Sequence, residues 1–300
     1  MKHELYRVRA RTTAAMLAPL LLAFGVFVLA PLVGSIMLSL RRGSGTQPME
    51  FAGLANFRFL LGDRLFWLAA LNTTAFTTMF LVIEIPLCLA MAVGLRSRYA
   101  RSQGAVRFAL LCPYFIGPVY ASVLFSAMLD ARYGVVNRFL SLLVGSEVHI
   151  PFLTDPRLSL ISMLAVSLWL SIGFGSLYLA AAMQGIPRTL YDAARVDGAS
   201  AWACFWHVTL PSVRPMLAIL MFVGTIQSFQ LFELPYVLFG GPGPSSAGMT
   251  VVMYLYGVGF EAGDFAYASA VGWGIVVVVS VLLVLQYAIL HQVLRERSQR

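Results

Sequence analysis

Six apolar runs, at about 16–40, 68–95, 106–129, 159–184, 215–239 and 268–291, are each long enough to cross a hydrocarbon layer as a helix. Lipid offers no hydrogen-bonding solvent, so a spanning segment must satisfy its own backbone N–H and C=O groups, and runs of this length do so as α-helices. The expected fold class is therefore all-α: a polytopic membrane protein with six transmembrane helices. These occupy one membrane domain over 16–294, between an amino-terminal segment, 1–15, and a short tail, 295–300. Composition agrees, since 59% of residues are hydrophobic, 11% are charged and the mean hydropathy is +0.81. The first run is longer than a signal-peptide core and no small-residue cleavage site follows it, so it is read as a retained span. The second exceeds the bilayer's need, which places Asn72 and Thr73 at the outer interface or tilts the helix. No internal repeat or low-complexity segment stands out.

Orientation follows from lysine and arginine, which resist transfer across the membrane. Fourteen lie on one side: Lys2, Arg7, Arg9, Arg11, then Arg96, Arg98, Arg101, Arg107, then Arg188, Arg195, Arg214, and finally Arg295, Arg297, Arg300. Seven lie on the other: Arg41, Arg42, Arg58, Arg64, Arg132, Arg138 and Arg157. Both termini and the segment 186–211 are thus expected in the cytoplasm. The net charge of +8 would suit a nucleic acid, but the cations sit in short clusters at span ends and form no basic face, so membrane lipid is the expected contact and nucleic acid is not.

Several chemistries lack their residues. Phosphate-loop ATP hydrolysis needs the lysine of G-x-x-x-x-G-K-[ST], and the single lysine, Lys2, has no glycine-rich loop before it. His3, His149, His207 and His291 have no metal-ligand spacing, so no metal and no cofactor are assigned. No serine or cysteine sits in a G-x-S-x-G elbow, which leaves no catalytic residue to name. Cys88 and Cys112 fall in spans and Cys204 in a cytoplasmic segment, positions that suit reduced thiols.

The segment Ile186 to Pro211, IPRTLYDAARVDGASAWACFWHVTLP, is punctuated as two short helices. Thr189 and Asp192 read as a T-x-x-D capping box, Gly198 as a left-handed stop, Ser200 as a second start and Pro211 as the end. The spacing Asp192-Ala193-Ala194, Gly198, then Val208-x-Leu210-Pro211 resembles the EAA motif of ABC importer permeases, E-A-A-x3-G-x9-I-x-L-P, with Asp192 for Glu and Val208 for Ile. Ile186, Pro187, Leu190, Tyr191, Asp197 and Ala199 resemble the sugar-permease branch of that family. The resemblance implies a type I ABC importer permease fold in a bacterial cytoplasmic membrane. It makes 186–211 a coupling helix that docks on a separate ATP-binding-cassette ATPase. It also implies two permease subunits, expected here as a heterodimer, two ATPases and a periplasmic or extracellular solute-binding protein. The coupling residues are then Tyr191, Asp192, Ala193, Ala194, Asp197, Gly198, Leu210 and Pro211, with the alanines flattening the docking face and Tyr191 and Trp202 as larger anchors. The plainer alternative is an interfacial helical hairpin whose Asp192 only caps its own helix.

Two acidic residues fall within spans, Glu84 beside Pro86 and Glu233 beside Pro235. A central carboxylate costs on the order of 3 kcal/mol to insert, so each is expected to face protein or water. Gln227, Gln230 and Glu233 fall at i, i+3 and i+6 of a continuous fifth helix, with Phe229 and Phe232 beside them. Amides, carboxylates and aromatic faces suit a polyol, because each buried hydroxyl left unpaired costs about 1–3 kcal/mol. Phe229, Phe232, Glu233, Tyr236, Leu238, Gly240, Gly241 and Pro242 resemble the sugar permeases, with Glu233 for Asp and Phe239 for Thr. The substrate path is accordingly assigned to Gln227, Gln230, Phe232, Glu233 and Tyr236, the alternative being interhelical hydrogen bonding. Glu84 has no polar stripe of its own and is expected to hydrogen-bond a neighbouring helix, or instead to pair with an arginine or amide of another span. Phe51-x-Gly53-Leu54-x-Asn56-Phe57 also resembles the sugar branch, which implies an ordered element in the first outer loop, the alternative being an amphipathic interfacial turn. The turn-rich loop GGPGPSSA, 240–247, is placed near a docked binding protein or as a plain connector.

The resulting reading is the permease subunit of an ATP-driven, binding-protein-dependent importer of a sugar or sugar-phosphate. An ABC permease for another solute, an ATP-independent secondary transporter and an intramembrane enzyme are the alternatives. A secondary transporter would need charged relays across several spans, and Glu84 and Glu233 alone are available.

Overall fold

The computed structural model describes residues 2–43, 49–96 and 103–298, with side chains omitted at 2–11, 96, 103, 291 and 293–298. Arg98, Arg101 and Arg300, used above for orientation, lie outside the described residues. In chain order the elements are α1 (Lys2–Phe24), α2 (Ala30–Ser39), β1 (Arg41–Arg42), β2 (Glu50–Phe51), α3 (Ala55–Gly62), α4 (Arg64–Arg96), α5 (Gln103–Ile116), α6 (Pro118–Met128) and α7 (Val135–Val144). There follow α8 (Pro156–Gln184), α9 (Arg188–Val196), α10 (Ala201–Cys204), α11 (Leu210–Phe229), α12 (Glu233–Phe239), α13 (Val251–Tyr256) and α14 (Phe265–Ser298). Wide π turns at Gly25–Leu29 and Phe205–Thr209 join α1 to α2 and α10 to α11.

Among the described residues, five continuous helical stretches have the length and apolarity to cross a membrane: Thr12–Ser39, Arg64–Leu95, Pro156–Gln184, Ala201–Phe229 and Phe265–Leu290. The sixth is a broken pair, Gly104–Ile116 and Pro118–Met128, bent by 94°. Gly117 makes that corner with φ of +79°, a left-handed value that glycine adopts without steric cost, and Pro118 starts the next helix where its missing N–H is not needed.

Two expected boundaries are corrected. The fifth span, read from the sequence as 215–239, runs instead from Ala201 to Phe229. The chain then breaks at 230–232 before α12. The carbonyls near the break are taken up by distant side chains: Thr250 Oγ1 donates to Leu231 O at 2.7 Å and Ser122 Oγ to Leu234 O at 3.0 Å. Pro211 was expected to end a helix and instead lies in the first turn of α11, within that long span. The preceding π turn absorbs it, because Leu210 N–H reaches back five residues to Phe205 O and the helix is already widened where proline removes a donor.

Chain contacts group into two compact units. The smaller comprises residues 1–63 and 255–274. In it the β1–β2 hairpin and α3 form an ordered element at Phe51–Phe57, ahead of the second span. Asn56 is buried and its amide donates to Ser39 O at 2.8 Å and Arg41 O at 2.7 Å, fixing α3 to the end of α2. Tyr267 donates its hydroxyl to Asp63, and Trp273 Nε1 donates to Ser35 Oγ at 3.2 Å.

The larger unit comprises 64–254 and 275–300, with α4 packed along α8 and α11. One core cluster joins Phe76, Phe80 and Leu81 of α4 to Ala121, Met163, Leu164, Val166, Leu234 and Leu238. A second joins Cys88, Ala92 and Leu95 to Leu179, Ala180, Met183, Ile186 and Val213. Asn72 and Thr73, assigned above to an interface or a tilt, fasten the 240–251 loop. Asn72 donates to Ser246 O at 2.9 Å, and Thr73, fully buried, accepts the Val251 N–H at 3.1 Å.

Candidate functional site

The segment after α8 folds as a helical knuckle. Pro187 precedes α9 in an extended conformation with φ of −57°, and Leu190 N–H closes the first turn on Pro187 O at 3.2 Å. The expected capping box is absent. No side chain caps the start of α9, Thr189 lies inside the helix, and Asp192 sits 3.7 Å from Arg195 one turn on. A proline at the cap position places Thr189 too far into the first turn to cap it.

Two other signals hold. Gly198 has φ of +80°, Gly198 N–H donates to Arg195 O at 3.0 Å and Ala199 N–H to Ala194 O at 2.9 Å, the paired bonds of a left-handed helix stop. Ser200 then opens α10, its hydroxyl accepting Ala203 N–H at 3.2 Å.

The knuckle has an inner and an outer face. Tyr191 turns inward, packing on the Leu95, Met183 and Val213 cluster, and its hydroxyl bonds Thr209 Oγ1 at 2.9 Å. It braces α9 against the base of α11, so it is a strut where the sequence suggested an outward anchor. Asp192, Ala193, Asp197 and Gly198 are exposed, Ala194 is half-buried, and Val196 is 87% and Trp202 70% exposed. Leu210 and Pro211 are half-buried, Leu210 beside Trp206 in an apolar groove that also takes in Pro86 and Val93 of α4.

The fifth span carries this knuckle straight to a cavity. Ala201–Phe229 is one helical stretch, and at 1.5 Å per residue it is roughly 40 Å long. Near its far end lies a cavity of about 270 Å³ lined by Phe76 and Phe80 of α4, Tyr114, Gly117 and Pro118 at the α5–α6 corner, Ser167, Leu170 and Ser171 of α8, and Gln227, Ser228, Leu231 and Leu234. The Ser167 hydroxyl is buried with no hydrogen-bond partner among the described residues.

Of the five path residues named from sequence, Gln227 lines this cavity. The supposed stripe is not one helix face, because Gln230 follows the last turn of α11 and Glu233 begins α12. Gln230 and Glu233 are exposed, and Phe232 stacks on Tyr236 with ring centres 5.1 Å apart. Sequence reasoning missed Phe76, Phe80, Tyr114, Ser167 and Ser171. The serines leave a trace in S-L-W-L-S, where i, i+4 spacing sets both on one helix face.

Glu84 meets a neighbouring helix, the first of its two expected settings, and no arginine or amide among the described residues. Its carboxylate lies beside Ser171 and between two glycines: a Cβ on Gly175 would stand 3.9 Å from Oε1 and one on Gly224 3.8 Å from Oε2. The room these glycines on α8 and α11 leave is taken first by Cys88 Sγ and Leu81 Cδ2, which a Cβ would approach to 2.7 and 2.8 Å, and the carboxylate sits behind them in ordinary contact.

The comparisons with known proteins agree with this architecture. The profile of the binding-protein-dependent transport system inner membrane component family matches residues 9–297. The chain is 32% identical over 272 residues to the lactose transport system permease protein LacF of Rhizobium radiobacter, covering 90% of this chain and 91% of that one. It is 30% identical to the trehalose/maltose transport system permease protein MalF of Thermococcus litoralis, covering 92% and 90%. Among solved structures, a chain of a bacterial ABC transporter that imports the acidic polysaccharide alginate superposes with a TM-score of 0.84 at 25% identity, covering 97% of this chain and 99% of that one. The same kind of transporter bound to its alginate-pentasaccharide-loaded periplasmic protein gives 0.82 at 26% identity, covering 93% of each chain. The chain belongs to the family of binding-protein-dependent transport system inner membrane components, and it is a multi-pass membrane permease subunit of an ABC importer.

Proposed function

We propose that this permease carries a sugar or sugar derivative inward, and that the continuous helix from knuckle to cavity is the mechanical link. The observation that carries the reading is the Ala201–Phe229 stretch, which has Gly198 and Ser200 at its start and Gln227 and Ser228 in the cavity wall at its end. In this reading the exposed face of α9, with Asp192, Ala193 and Asp197, seats on a separate ATP-binding-cassette ATPase that performs the hydrolysis. Tyr191 and Thr209 keep α9 and α11 moving together, and the far end of α11 reshapes the cavity.

The cavity suits a polyol. It offers the Gln227 amide, the Ser167 and Ser171 hydroxyls and the rings of Tyr114, Phe76 and Phe80, and sugar permeases stand among the relatives of similar length. Two permease subunits, as a heterodimer, two ATPases and a solute-binding protein at the outer face complete the assembly. The membrane is the bacterial cytoplasmic one, with both termini and residues 186–211 inside, a reading the arginine distribution supports. Gln230, Phe232, Glu233 and Tyr236 then form the outer approach to the cavity.

Gln227→Ala and Ser167→Val are expected to raise the half-saturating solute concentration severalfold, since one unpaired hydroxyl costs about 1–3 kcal/mol, while ATPase assembly is unchanged. Initial-rate uptake in reconstituted vesicles measures this. Wild-type kinetics in both variants would remove the cavity from the path.

A further inference from the structure

Helix α7, between the bent α5–α6 pair and α8, is amphipathic in the reverse of the usual sense. Its two uncharged polar residues, Asn137 and Ser141, face the protein. Asn137 is 2% exposed, its amide nitrogen donating to Ile150 O at 3.0 Å and Asp130 O at 3.2 Å and its oxygen accepting Ile150 N–H at 3.0 Å. Ser141 Oγ donates to Asn137 O and accepts Val148 N–H, both at 2.9 Å. With those bonds made, the helix cannot rotate to hide its other side. That side holds Val135, Phe139, Leu142 and Leu143, at i, i+4, i+7 and i+8, exposed by 63, 60, 78 and 68%.

We propose that α7 is an outer-leaflet anchor, lying along the bilayer surface with these four side chains among the acyl chains. The margin of the stripe carries the chemistry of a headgroup layer: Arg138 and Arg132 are exposed, and Tyr133 is 88% exposed. Arginine guanidiniums pair with lipid phosphates, and a tyrosine ring sits at the boundary of apolar and polar layers. The loop also starts and ends on membrane helices, at Met128 and Pro156, which keeps α7 near the surface. A protein partner fits less well, because one face of a three-turn helix presents a few hundred Å², whereas a specific interface buries roughly 800 Å² per partner. The anchor would hold the bent α5–α6 corner, and with it Tyr114 and Gly117 of the cavity wall, at a fixed depth while α11 moves.

This inference rests on the proposed orientation, and the experiment separates the two. Single cysteines at Phe139, Leu142 and, as a control, the exposed Glu147 are spin-labelled in a Cys112→Ser background, the other two native thiols being buried. The complete transporter is placed in lipid nanodiscs, and collision with oxygen is compared with collision with a nickel chelate. The oxygen-to-nickel ratio is expected to be severalfold higher at 139 and 142 than at 147. Low collision with both reagents at 139 and 142 would mean that protein covers the face, and a ratio equal to that at 147 would mean water; either overturns the anchor. An impermeant maleimide applied to intact spheroplasts should label Glu147→Cys. Labelling of that residue only after lysis would refute the orientation, whatever the collision data say about lipid.

Discussion

Gly198→Val is expected to leave the transporter assembled and its ATPase active while solute uptake falls by roughly a factor of ten or more. Gly198 holds φ of +80°, and a Cβ added there would meet no atom within 4 Å, so the substitution acts through backbone conformation alone. A left-handed residue with a side chain costs about 1–2 kcal/mol, more when β-branched, and a tenfold change in an equilibrium corresponds to about 1.4 kcal/mol. The chain escapes by unwinding the stop, which loses the Gly198–Arg195 and Ala199–Ala194 bonds and frees α9 to swing relative to α10. Force applied to α9 then no longer reaches α11. Gly198→Asn is the discriminating control, because asparagine tolerates the left-handed region and should retain most of the uptake. Parallel measurement of ATP turnover and uptake in proteoliposomes checks both variants.

Gly173→Leu should prevent the permease from accumulating in the membrane. A Cβ at Gly173 would stand 1.7 Å from Leu110 O and 2.5 Å from Leu110 C, so α5 and α8 touch backbone to backbone at this point. Both contacting atoms belong to main chain, and no rotamer change relieves the clash. Even Gly173→Ala forces the helices apart, with an overpacking cost of about 1–3 kcal/mol, and is expected to lower the midpoint of thermal unfolding in detergent by several degrees. Gly94→Ala in α4 meets nothing within 4 Å and should be neutral or slightly stabilising. Loss of both variants alike would point to general intolerance, and an unchanged Gly173→Ala would contradict the close approach.

The sequence made the spans legible because a backbone in lipid has one economical solution, and an apolar run of sufficient length announces it. The interruptions were less legible, for reasons that lie far away in the chain. Leu231 and Phe232 continue the hydropathy of α11, but the helix stops there because Thr250 and Ser122, 19 and 112 residues from their acceptors, bond the carbonyls near the break. The corner at Gly117 went unread: its Gly-Pro pair lies between apolar residues that read as one continuous span, and these concealed a bend of 94°. Within the knuckle, Gly198 and Ser200 were readable because each acts on neighbours three to five residues away. Pro211 was misread because the π turn that accommodates it has no sequence signature. The cavity was partly hidden for the same reason as the break: Gln227 belongs to a stripe that the sequence continued too far, while Tyr114 and the α8 serines join it only through packing.

In the proposed mechanism a cytoplasmic knuckle takes force from an ATPase, and Val196, 87% exposed on α9, is the position at which to test it. A Val196→Cys variant carrying only the buried native thiols and Cys112→Ser is treated with an impermeant maleimide in sealed vesicles of either orientation, with and without the ATPase subunits. Labelling is expected in inside-out vesicles only, with protection when the ATPase is bound. Labelling of right-side-out vesicles, or undiminished labelling in the assembled transporter, would contradict that mechanism.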